Sequence, residues 1–119
     1  DDEMEQFTDI LRYMEFYTKK NDIHMMMYAN SAFHRHIYKT AHDRMLDKTL
    51  TSYFNYCKYS CPPNYFAPKF LDKTLEERRR VYSAYLKKDV TSGARAMKLH
   101  MSSTIKRAIA NINPNIYEK

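Results

Sequence analysis

The chain of 119 residues has one glycine, four prolines, two cysteines and no tryptophan. An all-β fold needs many tight turns, and one glycine with four prolines cannot supply them. The cysteines, Cys57 and Cys61, are four apart, which fits neither the redox nor the zinc C-x-x-C spacing. At helical spacing they share a face and read as buried thiols or as a chance spacing. No apolar run is long enough to span a bilayer, and no signal-peptide pattern opens the sequence. These absences predict a cytoplasmic protein with no membrane association. The first residue is Asp1, and a helical pattern starts at once, as expected of a piece of a longer protein.

What is present is 44% hydrophobic, rich in residues that favour helices and heavy in tyrosine, with eleven copies. That apolar content is too high for a disordered tail, and the length suits one domain that buries a core without staples. The net charge is +6 and unevenly spread. Residues 1–22 hold seven acids and three bases, or −4, which leaves +10 for the remainder. A basic surface of that kind attracts nucleic acid or anionic metabolites. Arg78, Arg79, Arg80, Lys87 and Lys88 are its densest stretch.

Apolar residues recur at steps of three and four in five segments. The first, about residues 2–19, carries Phe7, Ile10, Leu11, Met14 and Tyr17. The second, about 23–41, carries Ile23, Met26, Met27, Asn30, Phe33, His34 and Ile37. The third, about 44–60, uses Leu46, Leu50, Tyr53, Phe54 and Cys57. Residues 61–73 form the only long loop. Thr74 and Glu77 match a capping box that opens the fourth helix, about 75–87, with Leu75, Arg78, Tyr82, Tyr85 and Leu86 on one face. The fifth, about 90–112, carries Met97, His100, Met101, Thr104, Ile105, Ala108 and Ile109 and stops at Asn113-Pro114. Asp22, Asp43 and Asp89 stand where N-caps belong. The prediction is an all-α, antiparallel bundle of about five to six helices forming a single domain over residues 1–119.

Four polar residues fall on stripes that should be buried: Asn30, His34, Arg78 and His100. A buried polar group without a partner costs about 1–3 kcal/mol. An unpaired arginine costs more. They therefore meet partners: each other, water or a ligand. No aspartate or glutamate is expected on the inward faces after residue 22, and no nucleophile–base motif is visible, so catalysis is not expected.

The run Asn30-Ser31-Ala32-Phe33-His34, with Ile37 and Asp43, resembles the D-x-x-F-H-x-x-I segment and following cap of a known domain. Arg78, Ala84, Asp89, Ala94, Met97 and His100 resemble its last two helices, where H-x5-A-x4-D precedes a small residue, a methionine and a final histidine. Over about residues 5–110 the chain is similar to the C-terminal effector-binding domain of GntR-family bacterial transcription regulators, the FadR-type (FCD) branch. The resemblance implies a helical bundle that binds a small carboxylate or other anionic effector in a central cavity. It also implies a homodimer that reads DNA only through an N-terminal winged helix-turn-helix domain. That domain, and with it the first bundle helix, is then missing from this chain.

In many members an aspartate and three histidines hold a divalent metal, of zinc or nickel type. His34 and His100 match two of those histidines; Asn30 stands at the aspartate position and Arg78 at the third histidine. An amide is a weaker, neutral ligand, and arginine has no lone pair to give. No cofactor is therefore expected; if a metal is held, His34, His100 and Asn30 are its ligands. The expected site is an anion pocket in which Arg78 replaces the metal's charge, His34, His100 and Asn30 supply hydrogen bonds, and Tyr82 and Tyr85 shape the walls. The alternative is a basic helical module that binds nucleic acid or protein without a small effector.

Overall fold

A computed structural model describes residues 2–60 and 71–112, and of residues 57–60, 104 and 107–112 the main chain only. The expected side-chain roles of Cys57, Thr104, Ala108 and Ile109, and the features at Cys61 and Asn113-Pro114, lie outside the described residues. Those described form five helices and no strand: α1 (Asp2–Lys19), α2 (Ile23–Thr40), α3 (Arg44–Ser60), α4 (Leu71–Leu86) and α5 (Val90–Ile112). They fall into two compact units, Asp1–Cys61 and Pro62–Lys119.

Each short connection is a three-residue turn built alike, a residue with positive φ followed by an aspartate. The pairs are Asn21-Asp22, His42-Asp43 and Lys88-Asp89, with φ of 54°, 56° and 54° at the first member. Glycine usually takes this left-handed position at a helix C-terminus. A glycine-poor chain uses Asn, His and Lys instead. Two of the turns close as Schellman motifs. Asp22 N donates to Tyr17 O at 3.0 Å and Asn21 N to Thr18 O at 3.1 Å. Asp89 N donates to Ala84 O at 2.9 Å and Lys88 N to Tyr85 O at 3.1 Å. The aspartate side chain then opens the next helix, accepting from Met25 N at 3.1 Å, Leu46 N at 3.0 Å and Ser92 N at 3.0 Å respectively. Asp89 also accepts from Ser92 Oγ at 2.8 Å. Together the main-chain and hydroxyl donors of Ser92 hold its carboxyl below the usual carboxylate range.

In the first unit α2 is the central helix, because α1 packs on one side of it and α3 on another. Phe7, Leu11 and Met14 of α1 meet Met26, Ala29 and Phe33 of α2 in a closed core. Phe7 and Phe33 approach to 5.0 Å between centroids, and burial of each ring stabilises by about 1.5–3 kcal/mol. Ile10 and Tyr17 are only half-buried; Thr18 takes the next inward position. Its hydroxyl donates to Met14 O at 2.7 Å, so its polar atom is satisfied inside the core. On α3, Leu46 and Tyr53 are exposed and Leu50 and Phe54 half-buried, so its apolar stripe is narrower than the periodicity suggested.

The second unit is an α4–α5 hairpin. Near the turn α4 and α5 approach through small residues: a Cβ on Gly93 would lie 3.6 Å from that of Ala84. The fourth helix begins at Leu71, a turn earlier than the capping-box signature indicates. Leu71 and Thr74 are both buried, so burial of Leu71 favours the additional turn and places Thr74 inside the helix. Leu86 of α4, and Met101 and Ile105 of α5, are exposed.

Candidate functional site

The four inward polar positions are indeed buried. Asn30 and His34 belong to the first unit, one helical turn apart on α2. The His34 ring lies 5.1 Å from Phe54 of α3, edge-on to Phe33 at 5.7 Å and 6.2 Å from Tyr38. It is held in an aromatic setting that fixes its plane.

Arg78 and His100 belong to the second unit, and the structure brings them into contact. Each is 2% exposed. Arg78 Nη1 lies 2.6 Å from His100 Nδ1. A guanidinium can only donate, so the Arg78 contact needs a lone pair on that nitrogen. Tyr82 and Tyr85 are half-buried on the same helix as Arg78. The inward turn of Arg78 removes it from the basic surface proposed for this stretch. Arg79 and Arg80 do point outward, where each meets Glu76, at 3.9 and 3.7 Å.

A third member of the cluster was missed from the sequence. Glu77 is 6% exposed, against the expectation that no carboxylate faces inward. Its Oε2 lies 3.0 Å from His100 Nδ1 and 3.5 Å from Arg78 Nη1. It joins this cluster instead of capping α4. The signal that finds it is a matter of charge rather than periodicity. A buried arginine stays protonated and needs an anion close by, and its immediate neighbour in sequence is Glu77. Among the described residues no group of three or more histidine, cysteine, aspartate or glutamate side chains is gathered as a metal ion requires.

His36, a second inward residue that the stripes did not include, stacks on Phe7 at 5.0 Å. Its Nε2 is buried and meets no hydrogen-bond partner among the described residues. Burial lowers its pKa below the usual 6.5, against the opposing pull of a main-chain hydrogen bond and the charge of Glu3, with Lys39 adding to the lowering. The unfolded chain therefore binds a proton here more readily than the folded one. The stability contributed by neutral His36 is complete above about pH 6.5 and is lost progressively as pH falls from there towards the lower folded value. Thermal melts should show a smaller loss of Tm between about pH 7.5 and 5.5 in His36→Phe than in the wild type. Equal losses would contradict this assignment.

No helix among the described residues is long and apolar enough to cross a membrane. No curated protein and no solved structure matches the chain at a significant level. A family model, that of the FCD domain, matches residues 1–103, which takes in α1 to α4, the greater part of α5 and the Glu77–Arg78–His100 cluster. The chain therefore belongs to the FCD family, the regulatory C-terminal domains of FadR type found in GntR-family transcription regulators.

Proposed function

We propose that this chain is the ligand-sensing domain of a GntR-type regulator, and that it binds a small carboxylate or related anionic metabolite through Arg78. The observation that carries this reading is a buried guanidinium, in contact with His100, at a family ligand position. A buried fixed cation is costly to maintain, and its planar fork matches a carboxylate with two parallel hydrogen bonds. His100 orients the guanidinium, and Tyr82 and Tyr85 offer hydroxyls and ring faces from the same helix. The domain senses without catalysis, pairs as a homodimer and governs DNA binding by a separate winged helix-turn-helix domain.

The donor set does not suit a divalent metal. His100 Nδ1 has a guanidinium 2.6 Å away, so a cation bound at that nitrogen would meet a second, permanent positive charge. Asn30 is neutral where the family has a carboxylate. The cationic role at this position is therefore assigned to Arg78.

Calorimetry with a panel of short carboxylates tests the reading. Arg78→Lys keeps the charge and protects the fold, but removes the two-pronged geometry. The wild type should bind at least one carboxylate, and Arg78→Lys should bind it about tenfold or more weakly. Equal affinity in the two proteins would exclude Arg78 as the anion's partner.

A further inference from the structure

We infer that two copies of this chain pair through the outer face of α1, antiparallel about a two-fold axis that passes between Arg12 and Tyr13. This rests on the reading that the domain pairs as a homodimer, and it names the surface that does so.

The geometry of α1 defines the face. Phe7, Leu11, Met14 and Thr18 turn inward to the core of the first unit. At about 100° per residue, Asp2, Glu5, Asp9, Tyr13, Phe16 and Lys20 form a stripe on the opposite side. All six are exposed, Tyr13 at 58% and Phe16 at 53%. The half-buried Tyr17 holds both rings, stacked with Tyr13 at 6.3 Å and edge-on to Phe16 at 5.3 Å. Lys20 Nζ lies 5.4 Å from the Phe16 ring centre. These rings are large apolar groups already held in place, so little side-chain freedom is lost when a partner covers them.

Charge identifies the partner. The N-terminal half of the stripe carries Asp2, Glu5 and Asp9; the basic residues Lys20 and, on its flank, Arg12 and Lys19 follow. Arg12 and Asp9 approach each other only to 3.8 Å and both are exposed, a pairing that water largely screens. Three acids and three bases leave the face neutral but divided along its length. A parallel copy would set like charges together. An antiparallel copy sets the acidic half of each helix against the basic half of the other. With the axis between residues 12 and 13, Glu5 faces Lys20 and Arg12 faces the Tyr13 ring, twice each by symmetry. The aromatic rings then lie near the axis and the ion pairs at the rim, the usual anatomy of an interface. The opposed helix dipoles favour the same alignment. One pair of helices buries less than a standard interface, so the expected affinity is micromolar.

Sedimentation equilibrium with two charge-reversed variants tests this. Lys19→Glu/Lys20→Glu makes the face acidic at both ends, and Asp2→Lys/Glu5→Lys makes it basic at both ends. The wild type should dimerise in the micromolar range, and each variant alone should dimerise about tenfold or more weakly. Mixing the two variants should restore dimerisation, because each then supplies the charge the other lacks. Variants that dimerise as well as the wild type would overturn the inference and leave the homodimer reading standing, with the pairing on another face. Weakened variants that fail to recover on mixing would also overturn it. A wild type that stays monomeric throughout would overturn both.

Discussion

Replacing Arg78 by methionine is expected to cost about 3–5 kcal/mol of stability, the usual penalty for removing one partner of a buried pair of charges. The guanidinium is 2% exposed and touches His100, and the Glu77 carboxylate beside it is buried as well. Methionine fills much of the arginine stem's volume, so the loss comes from charge rather than from a void. Glu77 would be left buried without the adjacent cation that offsets it. The double variant Glu77→Leu, Arg78→Met removes both charges and should regain most of the loss, since well-packed apolar replacements for a buried pair are often neutral or stabilising. Urea unfolding followed by circular dichroism measures each step. A double variant as unstable as the single one would show that burial of the cluster is not governed by its internal charge balance.

Phe7→Ala is the second large effect, at about 3–5 kcal/mol. The ring is fully buried, packs on Phe33 and His36 at 5.0 Å each, and joins α1 to the central helix of the first unit. Its removal deletes apolar burial and opens a cavity that Phe33 and Met26 cannot fill without leaving their own contacts. Loss of the stacked ring also exposes His36. Chemical denaturation is the measurement, with Tyr28→Ala as the comparison. Tyr28 lies on α2 but is 72% exposed, so truncating it should change stability by no more than about 0.5 kcal/mol. Similar losses in the two variants would contradict the core assigned here.

The helices were legible in the sequence because their ends carry chemistry. Asp22, Asp43 and Asp89 each accept from a main-chain N–H three residues on, as their positions ahead of apolar stripes indicated. The start of α4 was not legible: Thr74 and Glu77 have the spacing of a capping box, and only the burial of Leu71 shows that the helix begins earlier. Stripes identified Asn30, His34, Arg78 and His100 as inward residues. They failed at Glu77 because one helical face was read through Arg78, and the adjacent carboxylate was taken for part of a charged surface. They failed at His36 because α2 is covered by both α1 and α3 and so buries more than one stripe, with Ala29, Ser31 and His36 on the added width. A period describes one buried face; how many faces a helix buries is decided by its neighbours.

The central claim is that the Arg78 guanidinium is the group that meets the ligand. The most direct measurement follows the guanidinium nitrogen and proton resonances of the arginines in a labelled sample, during titration with a short carboxylate that binds. The account predicts that the Arg78 signals shift and sharpen in step with occupancy, while those of the exposed Arg79 and Arg80 stay in place. Saturation of the ligand site with the Arg78 resonances unmoved would contradict it.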